Sequence, residues 1–263
     1  TVNALPVAPT ATTTIDYCED DAAVALSATA SSGHTLVWYG SDGTTVLSGA
    51  PTPSTSSAGT TNYYVAQNAT LTDCEGPKTT ITVTVSGTPV APTVSDVSYC
   101  NNETATALTA TASTGNTLVW YDASQTGITT PTPSTSSVGS VTYYVAQQTA
   151  SGCEGPKSLV TVTINALPVA PTATTAIAYC KDATATALTA TASGSHTLVW
   201  YDTDGTTVLS GAPTPSTSSV GTTTYYVAQN NTLTSCEGPQ TTITITVNAL
   251  PVAPTATTTI DYC

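Results

Sequence analysis

The sequence contains no phenylalanine, no methionine and no arginine, and only three lysines (Lys78, Lys157, Lys181) and two histidines. Against 16 acidic residues this leaves a formal net charge of −13. A surface of that sign repels nucleic-acid phosphates and anionic lipid headgroups, which excludes both as partners. No run of 18 or more apolar residues occurs, so no membrane insertion is expected. No signal peptide is recognisable, and a window taken from mid-chain would lack one whatever its compartment. Helical periodicity is also missing over any stretch long enough to form a helix.

What the chain does have is threonine, close to a quarter of its residues, together with valine and 17 each of Gly and Pro. Thr and Val favour half-buried pleated strands, while Gly and Pro supply turns, so the composition points to an all-β protein. Hydrophobic residues at 40% suffice for a packed core and argue against disorder. A Tyr-Cys pair recurs at Tyr17-Cys18, Tyr99-Cys100, Tyr179-Cys180 and Tyr262-Cys263, at intervals of 82, 80 and 83 residues. Inside each unit a Trp follows the first cysteine by twenty residues (Trp38, Trp120, Trp200). Then come TPSTSS, a Tyr-Tyr-Val-Ala-Gln run (from Tyr63, Tyr143 and Tyr225), Cys-Glu-Gly-Pro (from Cys74, Cys153 and Cys236) and a closing ITVTV, VTVTI or ITITV. The opening TVNALPVAPTATTTIDYC returns unchanged as Thr246–Cys263, so the sequence reads as a window on a longer tandem array. The expected divisions are 1–7 as the end of a preceding repeat and linker, repeats at 8–88, 89–168 and 169–250, and the start of a fourth at 251–263.

The unit length suits tandem immunoglobulin-like β-sandwiches better than solenoid repeats. In the first unit, alternation predicts strands at 12–17, 24–30, 35–39, 61–67 and 78–85, with a short one near 44–47. Trp38, Trp120 and Trp200, one to a unit with no Phe to assist, are the expected core aromatics. Between units, LPVAPT (Leu5–Thr10) recurs as TPVAPT and LPVAPT. Two closely spaced prolines hold the backbone extended, which predicts a semi-rigid spacer and a rod with limited bending at its joints.

Seven cysteines are resolved by the repeat as one bridge per unit: Cys18 with Cys74, Cys100 with Cys153 and Cys180 with Cys236. Cys263 is then left unpaired at the end of the fragment. Each loop closed this way would contribute roughly 4 kcal/mol by the chain-entropy model. The reduced alternative requires a metal site, and neither Cys-x-x-Cys spacing nor nearby His supports one. Disulfides imply an oxidising compartment.

Little else suggests chemistry. His34 and His196 precede Thr-Leu-Val-Trp, but the second unit has Asn116 there, as suits a polar turn residue. No nucleophile motif accompanies the many serines. Glu19-Asp20-Asp21 becomes Asn101-Asn102-Glu103 and Lys181-Asp182 in the later units, which marks solvated loops. Asp202-Thr203-Asp204-Gly205 offers oxygens for calcium, yet the other units supply fewer and none provides the remaining ligands of a calcium loop. A lysine-amide crosslink at Lys78 and Lys157 fails in the third unit, which has Gln240. The tyrosines could stack on sugars, though packing accounts for them more simply. A flat Thr-x-Thr face, which an ice binder would use, is equally the wet face of any sandwich. No catalytic residue, metal or cofactor is expected.

The ordered set resembles a known bacterial module. It comprises a cysteine, Ala-Leu-Thr-Ala-Thr-Ala (Ala107–Ala112, Ala187–Ala192), Thr-Leu-Val-Trp-Tyr, Thr-Pro-Ser-Thr-Ser, Tyr-Tyr-Val-Ala-Gln, Cys-Glu-Gly-Pro and the closing Thr-Val-Thr-Val strand. It is similar to the Ig-like domains called CHU_C-associated, which occur in tandem in very large secreted proteins of Bacteroidota, and looks most like gliding-motility adhesins of the SprB type. The resemblance implies type 9 secretion, a place on the outer cell surface and no catalytic residues. The expected function is a mechanical stalk segment of a giant adhesin. Its partners would be the neighbouring repeats, a surface glycan or substratum reached through a tip outside this sequence, and the gliding or secretion machinery. The alternative is a spacer or carbohydrate-binding module of a secreted polysaccharide-degrading enzyme.

Overall fold

The computed structural model describes residues 4–256, and every regular element within them is a β-strand. The first repeat contains β1 (Thr10–Ala11), β2 (Thr14–Cys18), β3 (Ala28–Thr29), β4 (His34–Tyr39), β5 (Val46–Leu47), β6 (Gly59–Ala69) and β7 (Thr79–Ser86). Its main sheet runs β2-β7-β6-β4-β5, and β1 pairs with β3 in a two-stranded strip. The chain thus changes sheets between β1 and β2, and the Thr13 carbonyl accepts from Thr82 N–H as the second pairing begins. Pairing of β2 with β7 is parallel, and the other ladders of the main sheet are antiparallel.

The second repeat contains β8 (Val97–Cys100), β9 (Thr117–Tyr121), β10 (Gly127–Ile128), β11 (Gly139–Gln148) and β12 (Ser158–Asn165), in the order β10-β9-β11-β12-β8. The third contains β13 (Thr172–Ala173), β14 (Ala176–Cys180), β15 (Ala190–Thr191), β16 (His196–Tyr201), β17 (Gly221–Asn231) and β18 (Thr241–Asn248). Its main sheet is β14-β18-β17-β16, and a single Tyr201–Val208 bridge stands where a fifth strand runs in the others. The pieces group into two compact units. One is Thr1–Ser95, Ala107–Pro131 and Thr142–Thr161; the other is Asp96–Thr106, Thr132–Val141 and Val162–Cys263.

Alternation along the closing strand makes the core. In β7, Ile81, Val83 and Val85 are buried, with threonines between them. Leu26, Trp38, Val65, Ile81 and Val83 form one cluster, with Leu188, Trp200, Val227, Ile243 and Ile245 as its third-repeat equivalent. Trp120 is 3% exposed in the second repeat. The fold is therefore an all-β sandwich, with Leu26 and Ala28 packing from one layer onto Trp38 of the other.

The strand expected at 24–30 shrinks to the two residues of β3. Its outer neighbour is the segment that leads into TPSTSS, where the Pro51 carbonyl accepts from Leu26 N–H at 2.9 Å. Pro51 and Pro53 have no N–H to return, so the ladder stops after one bond. The same contact recurs as Leu108–Pro131 and Leu188–Pro213, both at 2.9 Å.

Trp38→Ala removes the largest side chain of the first core and should destabilise that repeat by about 3–5 kcal/mol. Calorimetry checks this: one transition should move to lower temperature, and an unmoved thermogram would mean that Trp38 does not hold the core.

Candidate functional site

The parallel register of β2 on β7 decides where the cysteines lie. Cys18 is aligned with Ser86, the last residue of β7. Cys74 sits beyond the other end of that strand, where its carbonyl accepts from Ala69 N–H at the close of β6. The eight residues of β7 put these positions roughly 23 Å apart at about 3.3 Å per residue. A disulfide needs Cα atoms within about 7 Å, so the two cysteines of one repeat cannot meet.

The expected pairing within repeats is therefore corrected. Cys18 is bonded to Cys153 and Cys100 to Cys236, each with Cα atoms 5.5 Å apart. The first cysteine of one repeat joins the second cysteine of the next, and both members of each bridge lie in the same compact unit. Cys153 and Cys236 are fully buried. Cys74 and Cys180, assigned to bridges from the sequence, are thiols here; the Cys74 thiol donates to the Thr72 carbonyl at 3.6 Å. Cys263 lies outside the described residues. The bridges close loops of 135 and 136 residues, and the chain-entropy model assigns such a constraint about 5 kcal/mol.

The supposed spacer is also corrected, because LPVAPT is docked on the repeat that it opens. Pro6 and Pro9 are buried. Gln67, 0% exposed in the middle of β6, donates from Nε2 to the Val7 carbonyl at 2.7 Å and accepts from Ser31 N–H at 2.7 Å. Thr79 Oγ1 donates to the Pro9 carbonyl at 2.6 Å. Gln147 and Gln229 hold Val90 and Val169 the same way, at 2.9 and 2.5 Å. A buried amide needs its partners, and each of these glutamines has both ends satisfied. The sequence reading counted this Gln within a strand motif and missed its role; a polar residue at the same interior position of three apolar strands was the available signal.

Cys-Glu-Gly-Pro completes the clasp. A Cβ on Gly76 would come 2.5 Å from the Pro6 carbonyl oxygen, and Gly155 and Gly238 lie as tightly against Pro89 and Pro168. Only glycine lets the two backbones approach this closely. Glu75 accepts from the Tyr39 hydroxyl, as Glu154 does from Tyr121 and Glu237 from Tyr201. Burial, reinforced by the neighbouring carboxylate, pushes all three phenols up to about 12. Lys78 and Lys157 lie 3.5 and 3.4 Å from the ring centroids of Tyr39 and Tyr121. Lys78 also donates to the Gly43 carbonyl at 2.7 Å, and Gln240 makes the equivalent bond to Gly205 at 2.9 Å. These lysines are occupied in a turn contact, and the faces of Tyr39 and Tyr121 that they cover are closed to a sugar.

The remaining candidates serve local structure. The Asp42 carboxylate accepts from Thr44 N–H, Thr45 N–H and the Thr45 hydroxyl, which hold it well below the usual range. Asp204 is held the same way by Thr206 and Thr207, at about 2. Both are turn-forming carboxylates whose lone pairs face their own backbone. His34 and His196 open β4 and β16 half-buried, with Nδ1 2.9 Å from the Ser32 carbonyl and 2.5 Å from the Ser193 carbonyl. Asp21 accepts from Cys18 N–H and Glu103 from Cys100 N–H, which fixes the turn after each first cysteine. No group of three or more metal-ligating side chains occurs among the described residues.

Two outcomes follow from the clasp. Gly76→Ala should cost the first repeat about 1–3 kcal/mol by overpacking, while Gly87→Ala, whose methyl meets nothing nearer than 3.7 Å, should leave the melting temperature unchanged. The phenols give the second. Their folded values lie above the ordinary 10, so their contribution is intact below pH 10 and lost as pH rises from 10 towards 12. Absorbance titration at 295 nm should show a class of three phenols ionising near pH 12, and Tyr39→Phe should reduce it by one third.

A family profile described as "Ig-like domain CHU_C associated" matches residues 6–86, 89–166 and 168–249. Comparison with curated proteins finds no match. Among solved structures, the I-band fragment I67–I69 of titin is 11% identical over 92% of this chain and 98% of its own, with a TM-score of 0.38. Three N-terminal domains of the bacteriophage RB49 highly immunogenic outer capsid protein are 13% identical over 94% and 100%, with a TM-score of 0.37. Bacteroides ovatus SGBP-B, solved with a mixed-linkage heptasaccharide, is 16% identical over 93% and 70%, at 0.23. Similarities this low carry no functional argument. The family match runs through nearly the whole sequence, and the chain belongs to the CHU_C-associated Ig-like domain family as three tandem copies.

Proposed function

We propose that this chain is a stalk segment of a giant cell-surface adhesin, a mechanical spacer without catalysis that serves adhesion and gliding motility. The observation that carries the reading is the pair of disulfides joining each repeat to the next, which serves a load-bearing array and no chemistry. Supporting it, the matched family segments are separated by only two residues and one residue, and the prolines that open each segment are docked on the repeat that they open. The disulfides belong to an oxidising, extracellular setting. Among the described residues no helix is long and apolar enough to cross a membrane. The acidic, threonine-rich surface favours solubility and discourages association between chains. In this reading the source belongs to the Bacteroidota, export is by type 9 secretion, and the substratum or surface glycan is gripped by a tip beyond these repeats.

Protease treatment of intact cells, followed by reducing gels and an antibody to the repeats, tests the proposal. A single very large antigen lost from the surface, together with loss of adhesion and movement, is the expected result. A modest-sized antigen free in the medium would overturn it.

A further inference from the structure

The two bridges overlap along the sequence, and this has a consequence for the covalent integrity of the chain. Cys18–Cys153 spans every peptide bond from 18 to 153, and Cys100–Cys236 spans every one from 100 to 236. Between Cys18 and Cys236, each backbone bond is therefore backed by at least one disulfide. Bridges inside repeats would behave otherwise. They would leave the stretches 74–100 and 153–180, which include the repeat boundaries, as single covalent connections.

We propose that this interlaced pairing makes the chain tolerant of backbone cleavage, so that no single cut between Cys18 and Cys236 separates it. Exposed turns are where extracellular proteases cut, and the chain has many of them, such as the segment around Asp42 and, in the first and third repeats, the loops carrying Leu71, 97% exposed, and Leu233, 93% exposed. A cut in any of these three segments leaves both halves bonded through cysteines elsewhere. Cys153 and Cys236 are buried while Cys18 and Cys100 are half-buried, so in the folded state thiol exchange is limited to the Cys18 and Cys100 sulfurs. Tension then passes through a nicked repeat by way of its neighbours. The inference stands on the bridges alone and holds whatever the array carries.

The three lysines make the test possible without altering the sequence. The chain, purified from an oxidising compartment, is alkylated to block thiols, denatured without reductant and digested to completion with a lysine-specific protease. The fragments are 1–78, 79–157, 158–181 and 182–263. The expected result is release of 158–181 alone, with the other three fragments travelling as one species until reductant is added. Release of 1–78 without reductant, or retention of 158–181 on 182–263, would overturn the proposal, since both signal bridges within repeats. Cys153→Ser supplies the second measurement: it should free 1–78 while leaving 79–157 joined to 182–263. A protease site inserted between Gly87 and Thr88 then tests the folded chain. Cleavage there should leave one species on a non-reducing gel, and two species would refute cut tolerance.

Discussion

The parallel pairing of β2 with β7 is the constraint on which most other features of the chain depend. A strand that begins beside the middle of its neighbour and runs the same way must finish at the same end. The first cysteine is thereby delivered to the end where the chain leaves the repeat, and the second, in the β6–β7 loop, stays at the end where the chain enters. The two are then complementary only between consecutive repeats. Antiparallel pairing at that edge would have brought Cys18 toward the start of β7 and made an internal bridge feasible. The same pairing moves the chain out of the β1–β3 strip, so that β2 closes the edge of the main sheet.

The clasp at the entry end shows how few residues fasten a repeat to its own leading segment. Gln67 holds the Val7 carbonyl from inside the core, Thr79 holds the Pro9 carbonyl, and Gly76 leaves room for Pro6. Buried hydrogen bonds of this sort are costly to break because the freed groups have no water to turn to. The prolines contribute by lacking N–H groups that would otherwise need partners, and by limiting the freedom of the unfolded segment. Where the third repeat replaces lysine by Gln240, the bond to the turn carbonyl survives and only the charge over the ring is lost. Variation at this turn is thus confined to a charge that solvent can compensate.

For a load-bearing role the arrangement divides the work. Hydrophobic packing around Trp38 and its counterparts keeps each sandwich folded. The bridges keep the array connected through events that packing cannot resist, local unfolding and backbone cleavage among them. A disulfide within a sandwich would protect that sandwich alone, whereas one between sandwiches protects the chain.

Much of this was legible in the sequence. Repetition, the all-β class, alternation in ITVTV and the Ig-like sandwich follow from local periodicity, because side chains on a strand alternate whatever the strand pairs with. Trp38 and Ile81 could be located along the chain for the same reason. The strand at 24–30 was overdrawn, since its length depended on prolines in a segment remote in sequence. The role of Gln67 was hidden because a buried amide is explained only by partners such as Val7, 60 residues away. The cysteine pairing shows the limit most sharply. Seven cysteines at regular intervals admit pairing within repeats or between them, and both leave the repeat pattern intact. The sequence by itself determined that each repeat carries two cysteines and how far apart along the chain they lie. Which end of the sandwich each occupies, and hence which partner it can reach, was decided by the direction in which β2 lies on β7, a property of the tertiary fold.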